Sequence, residues 1–490
     1  MSFRDFLVEG AQPAYLASVA QIAQTWEALL DPALLASLDD ETLLPSMVAF
    51  LEDPAQADGV KLQVAQDLGS LAWWRGPAIP PELRGRIDAV TRGILTGVAD
   101  SLDMAPRQLP RSRLRRAHVI LAGALQDPAH SPSAAAIDYA AALARDSKVD
   151  RLEIVHSATI TPAMADYIHD RLGGLPANRG VSLLSTAENP GFLADILGRG
   201  PCTFHVVCEP ALSPIIGVLS RLGPTIMFTC ADVAPVQYAD AYWFYHSREY
   251  MAPLWRAQGA PEVFIENYHQ SISGPWRETP PPEVMQRSEI GLADDAIVIA
   301  TVGNRLGVEL DEAYITGIEL AVRDQPNCIW LVVGGLPEAL SSACQQVLGE
   351  KFVHIPFERR LDRLMTIVDV FANPFRAGGG RSGYMALEAG AAVLTLGHGD
   401  VATAVAGDVW ASDPEDYFRR LDLLIGSPEL LAALKAYQAD HFRLVCDQDA
   451  FLRNLQEMIR LAADRYEARG CGAPLSQTVF APEARMAAAG

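Results

Sequence analysis

The sequence predicts an α/β protein of two doubly wound parallel sheets preceded by an all-helical segment. Three observations lead there. From about residue 116 onward, short apolar runs rich in β-branched residues alternate with helical segments. The alternation breaks once, at the proline-rich stretch 270–283, and then restarts. The first 115 residues carry helical spacing only. At 490 residues the chain exceeds the roughly 100 to 200 residues of one ordinary domain, so two or three are expected.

Composition narrows the function classes. Half the residues are hydrophobic and 20% are charged, a globular balance. The net charge of −21 repels a phosphate backbone and argues against general nucleic-acid binding. No apolar run reaches the roughly 18 residues of a membrane span, and the first nine residues, interrupted by acids, lack a signal peptide's apolar stretch. Seven cysteines (202, 208, 230, 328, 344, 446 and 471) form no CxxC pair, which predicts neither a disulfide framework nor a cysteine zinc site and fits a cytoplasmic location. No HExxH occurs, and Asp447-Gln448-Asp449 falls in a helical stretch where it reads as a solvated face. Neither a metal nor a cofactor is expected.

In residues 1–115, Leu16, Val19, Ala20, Ala23, Trp26, Leu29 and Leu30 share one helical face. Asp31-Pro32 and Asp53-Pro54 read as helix starts. Trp73 and Trp74 either pack a core or offer a ligand platform. The first α/β domain spans 116–272, with strands at 118–122, 151–156, 204–208, 225–230, 242–245 and 263–266. The second spans 284–468, with strands at 296–302, 329–333, 352–355, 368–372 and 392–396 and a long helical stretch over 414–468. Residues 469–490 read as a loosely held tail. Parallel sheets place ligand loops at the strands' carboxyl ends, so two facing sheets would put a site in the cleft between them.

The most informative segment runs from Asp369 to Gly390: a strand, a glycine-rich loop, and a helix predicted to start near Ser382. Gly378, Gly379 and Gly380 let backbone amides approach a ligand closely, and a helix start is a ready anion site. Arg381 at that mouth can pair with a diphosphate, Ser382 can add a hydrogen bond, and Glu388 can accept from ribose hydroxyls. Neither GxGxxG nor GxxxxGK[ST] occurs in this segment, and alone it reads equally as a flexible turn before a capped helix.

The wider order of motifs adds to this reading. Thr301–Leu306, Trp330–Gly335, His354–Phe357, Leu361–Leu364, Asp369–Phe375, Leu387–Thr395 and Gly397–Gly399 follow one another as do the donor-domain motifs of GT-B glycosyltransferases, and residues 116 to 465 resemble that group. The resemblance implies two facing Rossmann-like domains, a nucleoside-diphosphate sugar donor of UDP type, and sugar transfer to an acceptor protein or glycan. It puts Gly303 and Asn304 in the donor loop, Arg305 on the donor phosphates, Phe357 in the segment passing the nucleobase, and Glu388 on the ribose. Two positions depart from the pattern. Gly380 stands where a common branch has a second glutamate, and Leu310 where a lysine is usual; Arg381 or Arg376 would then supply the positive charge.

On the acceptor side, His130-Ser131-Pro132-Ser133 resembles an element lining the active site of relatives that transfer N-acetylglucosamine to proteins. His130 is thus a base or a neighbour of a helix cap. Asp232 follows a predicted strand where many relatives carry His-Asp, with Ala231 in place of the histidine; it orients an acceptor, acts as base, or caps a helix. Glu209 has the same ambiguity, and Asn267 reads as a domain-boundary contact. The helical N-terminal segment resembles modules appended to protein-modifying relatives, which favours protein glycosylation. A sugar-nucleotide epimerase of the same fold and a degenerate binding scaffold are the other readings.

Overall fold

A computed structural model describes residues 283–470 and, before them, 80–101, 116–122, 131–156, 160–173, 180–185, 202–207, 213–228, 239–244, 248–258 and 268–270, with scattered positions from 45 to 65 and near 127 and 260. The chain divides into two compact units: Met1–Phe244 with Met251–Ser271 and Asp449–Gly490, and Tyr245–Tyr250 with Ile272–Gln448. Among the described residues no helix is long and apolar enough to cross a membrane.

In the first unit, α1 (Pro81–Ser101) precedes β1 (Ala117–Ala122), α2 (Ser131–Ala144), β2 (Arg151–His156), α3 (Pro162–Leu172), β3 (Gly180–Ser185), β4 (Thr203–Val207), α4 (Ser213–Leu222), β5 (Thr225–Phe228), β6 (Ala241–Phe244), α5 (Arg248–Ala257) and β7 (Tyr268–Gln270). The seven strands are parallel in the order β3-β2-β1-β4-β5-β6-β7, with β1 registered against β2 (His118 beside Leu152) and β4 (His118 beside Thr203). Helix α1 packs on α4, and with further helical positions between 45 and 65 it belongs to the helical N-terminal segment. Trp73, Trp74 and the Asp31-Pro32 step lie outside the described residues. Asp53-Pro54 forms a turn rather than a helix start: Asp53 Oδ1 accepts from Ala55 N at 2.9 Å and Oδ2 from Gln56 Nε2 at 2.7 Å.

Edge strand β3 was not predicted. Gly180–Ser185 lacks a sustained apolar run because an edge strand buries little, and Leu183 remains exposed. The predicted strand 263–266 lies outside the described residues, with β7 immediately after it.

Beneath the first sheet's centre lies a buried polar chain. Tyr139 Oη meets His205 Nδ1 at 2.5 Å, and His205 Nε2 meets His118 Nδ1 at 3.0 Å, all three residues being fully buried. Whichever way the protons run, both nitrogens of the His205 imidazole are satisfied while it is neutral. Burial, with His118 as a second cause, holds His205 well below its ordinary 6.5. The folded state therefore resists a proton that the unfolded chain accepts below about 6.5. Stability from this site is complete above that pH and is lost as pH falls towards the depressed folded value. The melting temperature is expected to drop between about pH 7.5 and about pH 5.5, and to drop less in a His205→Gln variant; equal drops would remove His205 as the cause.

In the second unit, β8 (Ile297–Gly303), α6 (Leu306–Glu309), α7 (Glu312–Asp324), β9 (Cys328–Gly334), α8 (Glu338–Leu348), β10 (Phe352–Ile355), α9 (Leu361–Leu364), β11 (Val370–Ala372), α10 (Gly380–Glu388), β12 (Ala392–Leu394), α11 (Gly399–Ala404), α12 (Pro414–Gly426) and α13 (Pro428–Val445) follow in order. Five parallel strands lie in the order β10-β9-β8-β11-β12. Alternation along β8 explains its burial on both faces. Val298, Ala300 and Val302 join one core with Leu331, Val333, Phe371 and Val393, while Ile299 joins the other with Trp330, Val332 and Val370. Asp311, Asp413 and Ser427 cap α7, α12 and α13 by accepting from Tyr314, Asp416 and Leu430 amides, and Pro414 and Pro428 open their helices.

The last helix, α14 (Gln448–Ala468), departs from the predicted grouping with the second domain. From Asp449 on it belongs to the first unit, where Phe451 stacks on Trp243 at 5.0 Å and Arg465 Nη1 donates to the Asp240 carbonyl at 3.0 Å. Just beyond it, Arg469 pairs with Asp240 at 2.8 Å, both fully buried. The amphipathic pattern is correctly helical; which core its apolar face meets is a long-range matter. Asp447 and Asp449 are exposed at its start.

Candidate active site

In the second sheet the strand order reverses direction between β8 and β11, and the crevice at the carboxyl ends of such neighbours is where open α/β sheets bind ligands. Gly303, Asn304 and Arg305 leave β8 there, and Asn373 through Gly379 leave β11. These two stretches are brought together by Arg376. Its Nη2 donates to the Val302 carbonyl at 2.6 Å, its Nε to Asn373 Oδ1 at 3.2 Å, and its Nη1 to Glu309. The side chain is only 8% exposed. Gly303 makes room for it, since a Cβ there would strike the guanidinium.

Asn373 anchors the loop from the other side. Its backbone N donates to Leu394 O at 3.0 Å and its Nδ2 to Thr395 Oγ1 at 3.3 Å. Below it, Tyr417 donates to the Asn373 carbonyl at 3.0 Å and Tyr314 to the Ala372 carbonyl at 2.8 Å. Burial pushes the Tyr314 hydroxyl up to about 12, which keeps it a neutral donor. The end of β11 is thus fixed by a rigid aromatic floor.

Glu309 meets two arginines of the site, Arg376 and, at 3.0 Å, Arg305. Burial raises its carboxyl, but the two guanidiniums outweigh burial and hold it below the ordinary carboxylate value. This places Arg305 on β8's loop as expected, engaged with a neighbour. Arg376, considered as a supplementary positive charge, is instead a buried clamp. Leu310 is 7% exposed and part of the core, so a lysine there would bury its ammonium among apolar side chains.

The glycine loop opens α10 two residues earlier than predicted, at Gly380. Gly379 is the N-cap with φ of 99°, a left-handed conformation that glycine adopts without strain, and a Cβ there would lie 2.6 Å from Arg376 Nη2. The helix's first internal bond, Gly383 N to Gly379 O, spans 2.9 Å, so the amides of its first turn point ahead of the helix. Half-buried Arg381 and Ser382 sit in that turn. Glu388 is the last residue of α10, about 12 Å along the axis from Gly380. Its charge is felt by Cys446, whose thiol is raised chiefly by burial. Phe357, in the turn after β10, is 64% exposed. His130, Asp232, Glu209 and Asn267 lie outside the described residues.

Sequence assigns no role to three side chains here, although His354 stands in one of the donor-domain motifs. Glu309 carries the arginines. His354 joins β10 to β9, with its Nε2–H donating to the Gly334 carbonyl at 3.0 Å and Ser341 Oγ meeting Nδ1 at 3.0 Å. Asp400, in the first turn of α11, lies against Gly380: a Cβ on that glycine would fall 2.6 Å from Asp400 Oδ2. The signal for Asp400 was its place directly after Gly397, His398 and Gly399; pairing at that distance in sequence leaves no periodic trace.

Two doubly wound parallel sheets, the second with its glycine loop and helix start at the switch point, define the GT-B fold class. Among solved structures, the chain is similar to a mutant O-GlcNAc transferase of Thermobaculum terrenum: 15% identity, TM-score 0.60, covering 92% of this chain and 88% of that one. It is also similar to Anabaena HepE in complex with UDP-glucose, at 13% identity and TM-score 0.52, covering 70% of this chain and 99% of that one. A HepE complex with UDP and glucose gives 11% identity and TM-score 0.51, with coverage of 70% and 99%. No protein-family model and no curated protein matches the sequence. At these identities the likeness is one of fold.

Proposed function

We propose that the protein is a glycosyltransferase that moves a sugar from a UDP-type nucleoside-diphosphate sugar to an acceptor hydroxyl or amide, with a protein acceptor favoured. The observation that carries this reading is the start of α10: a three-glycine loop at the switch point of the second sheet, with Arg381 in the helix's first turn and Arg305 on the neighbouring loop. The UDP and UDP-glucose held by HepE on the same fold support the donor class. Backbone amides of Gly380, Arg381 and Ser382 would bind the diphosphate, and Arg305 and Arg381 would offset the charge that grows as the sugar C1–O bond breaks. Gly303, Asn304, Gly378 and Gly379 allow the close approach, Phe357 flanks the nucleobase, and Glu388 accepts from the ribose. His130 or Asp232 would take the acceptor's proton as its oxygen or nitrogen bonds to C1. The helical N-terminal segment favours a protein acceptor by analogy alone.

The test is a thermal-shift screen of nucleoside diphosphates and their sugars. UDP and UDP-sugars are expected to raise the melting temperature, and Arg381→Ala and Glu388→Ala each to weaken the response by about tenfold or more in ligand concentration. No shift with any nucleotide, or both variants responding as the parent does, would reject the donor site. In turnover assays His130→Ala is expected to keep donor affinity while losing about 10²- to 10⁴-fold in rate. Binding with neither transfer nor donor hydrolysis would identify a scaffold instead, and release of an altered sugar without acceptor an epimerase.

A further inference from the structure

We infer that His354 is a positioning residue of the proposed donor site, setting the spacing between the nucleobase segment and the phosphate loop. The inference rests on the donor-site reading above and deepens it with a residue that acts through the backbone. His354 stands on β10 beside Val332 of β9, three residues before Phe357. Its Nε2 lies 3.0 Å from the Gly334 carbonyl, which can only accept, so Nε2 carries the hydrogen. Nδ1 then holds a lone pair in the neutral ring, and Ser341 Oγ on α8 donates to it at 3.0 Å. The half-buried imidazole is thereby fixed in one tautomer and one orientation.

One peptide unit carries the effect onward. The Gly334 carbonyl takes the His354 hydrogen, and the Gly335 N–H of the same peptide plane donates to the Gly303 carbonyl at 2.9 Å. Leu336 N also donates to the Gly334 carbonyl, at 2.9 Å, so both lone pairs of that oxygen are used and the plane is held. Hydrogen bonds in series through a peptide polarise and strengthen one another. The loops after β8 and β9 lie backbone on backbone: a Cβ on Gly334 would strike the Gly303 carbonyl, and one on Gly335 the Asn304 carbonyl. Gly334 also takes a φ of 117°, which favours glycine. With no side chain between them, the two loops shift together. Arg376 holds the donor loop from the β11 side; His354, through Gly334 and Gly335, holds it from the β10 side.

A nucleoside diphosphate in the proposed site spans both ends of this chain of bonds. Its base meets the segment after His354, and its diphosphate meets the loop from Gly303 to Arg305. A ligand linked across two subsites gains from the second only where their spacing matches its own length. Holding that spacing before the ligand arrives spares the cost of ordering the loop on binding. Cutting the latch therefore leaves the base subsite intact and weakens what the diphosphate adds.

The experiment uses the full chain and calorimetric titration with UDP, and with uridine by displacement of UDP, on the parent, His354→Phe, His354→Gln and Ser341→Ala. Phenylalanine keeps a planar ring without the donor, and glutamine keeps an N–H. His354→Phe is expected to lower the ratio of UDP to uridine affinity by about tenfold, the scale of one lost hydrogen bond, with uridine affinity within about twofold of the parent. His354→Gln is expected to restore the ratio to within about threefold. An unchanged ratio in His354→Phe, an equal loss for both ligands, a glutamine variant no better than the phenylalanine one, or uridine failing to displace UDP from the parent would overturn the inference while leaving the donor site in place. Failure of UDP itself to bind would remove the donor-site reading and this inference with it. Should His354→Phe not fold, Ser341→Ala decides: freeing the outer edge of the ring is expected to lower the ratio about threefold, and an unchanged ratio would reject the latch.

Discussion

Replacing Arg469 with methionine is expected to destabilise the first unit by about 3–5 kcal/mol, the usual cost of leaving one member of a buried ion pair without the other. Arg469 Nε and Nη2 reach Asp240 Oδ1 and Oδ2 at 2.8 and 3.1 Å, and Nη2 also donates to the Ser220 carbonyl. The same carboxylate accepts from Thr225 N at 2.9 Å and Thr225 Oγ1 at 3.1 Å, so one buried aspartate joins the end of α14, the start of β5 and the loop before β6. Methionine keeps much of the arginine stem's packing but strands the negative charge. The check is a denaturant titration together with limited proteolysis of the C-terminal helix. An unchanged midpoint would mean that the carboxylate is reached by water or that Thr225 alone satisfies it.

Replacing Glu309 with alanine is expected to cost a similar amount, about 3–5 kcal/mol, in the second unit. The glutamate side chain is 10% exposed and is the carboxylate that both Arg305 and Arg376 meet. Without it, the buried Arg376 guanidinium keeps its bonds to Val302 and Asn373 but loses its counter-charge. The sign of the pH dependence follows from the carboxyl's lowered value. The stabilisation is present above the ordinary 4.5 and is lost as pH falls through the lower folded value. Acid unfolding of the parent should therefore carry a contribution that is absent in Glu309→Ala. Parent and variant curves that differ by a constant amount across that range would argue against it. Because Arg376 ties the loops after β8 and β11, the variant is also expected to bind UDP less well.

The central strands were legible because burial on two faces makes them short apolar runs, Val119 to Ala122, Ala296 to Ala300 and Ile329 to Val333, while Arg151 to His156 keeps apolar residues at Leu152, Ile154 and Val155 only. Edge strand β3 was not, since Leu183 is exposed and Ser182 and Ser185 interrupt the apolar run. The glycine loop was legible from composition, and its helix began two residues early because Gly379 takes the cap position itself. What sequence could not supply were the partners. Arg376 and Arg381 carry the same formal charge five positions apart, yet one is buried under Glu309 and the other lies half-buried at the helix start. Asp400 meets Gly380 across twenty positions. Periodicity reports which face of an element is apolar; it does not report which charge lies opposite.

The helix α14 has a consequence for biosynthesis. The second unit draws almost entirely on one uninterrupted stretch, Ile272–Gln448, and can mature as soon as that stretch leaves the ribosome. The first unit needs Phe451, Arg465 and Arg469, which emerge only afterwards, so the portion translated earlier waits with part of its interior open. The later-made half finishes before the earlier-made half. A nascent chain stalled just past Gln448 would expose the bare side of the β5–β6 layer to chaperones, and a stop codon there would leave that side without its cover.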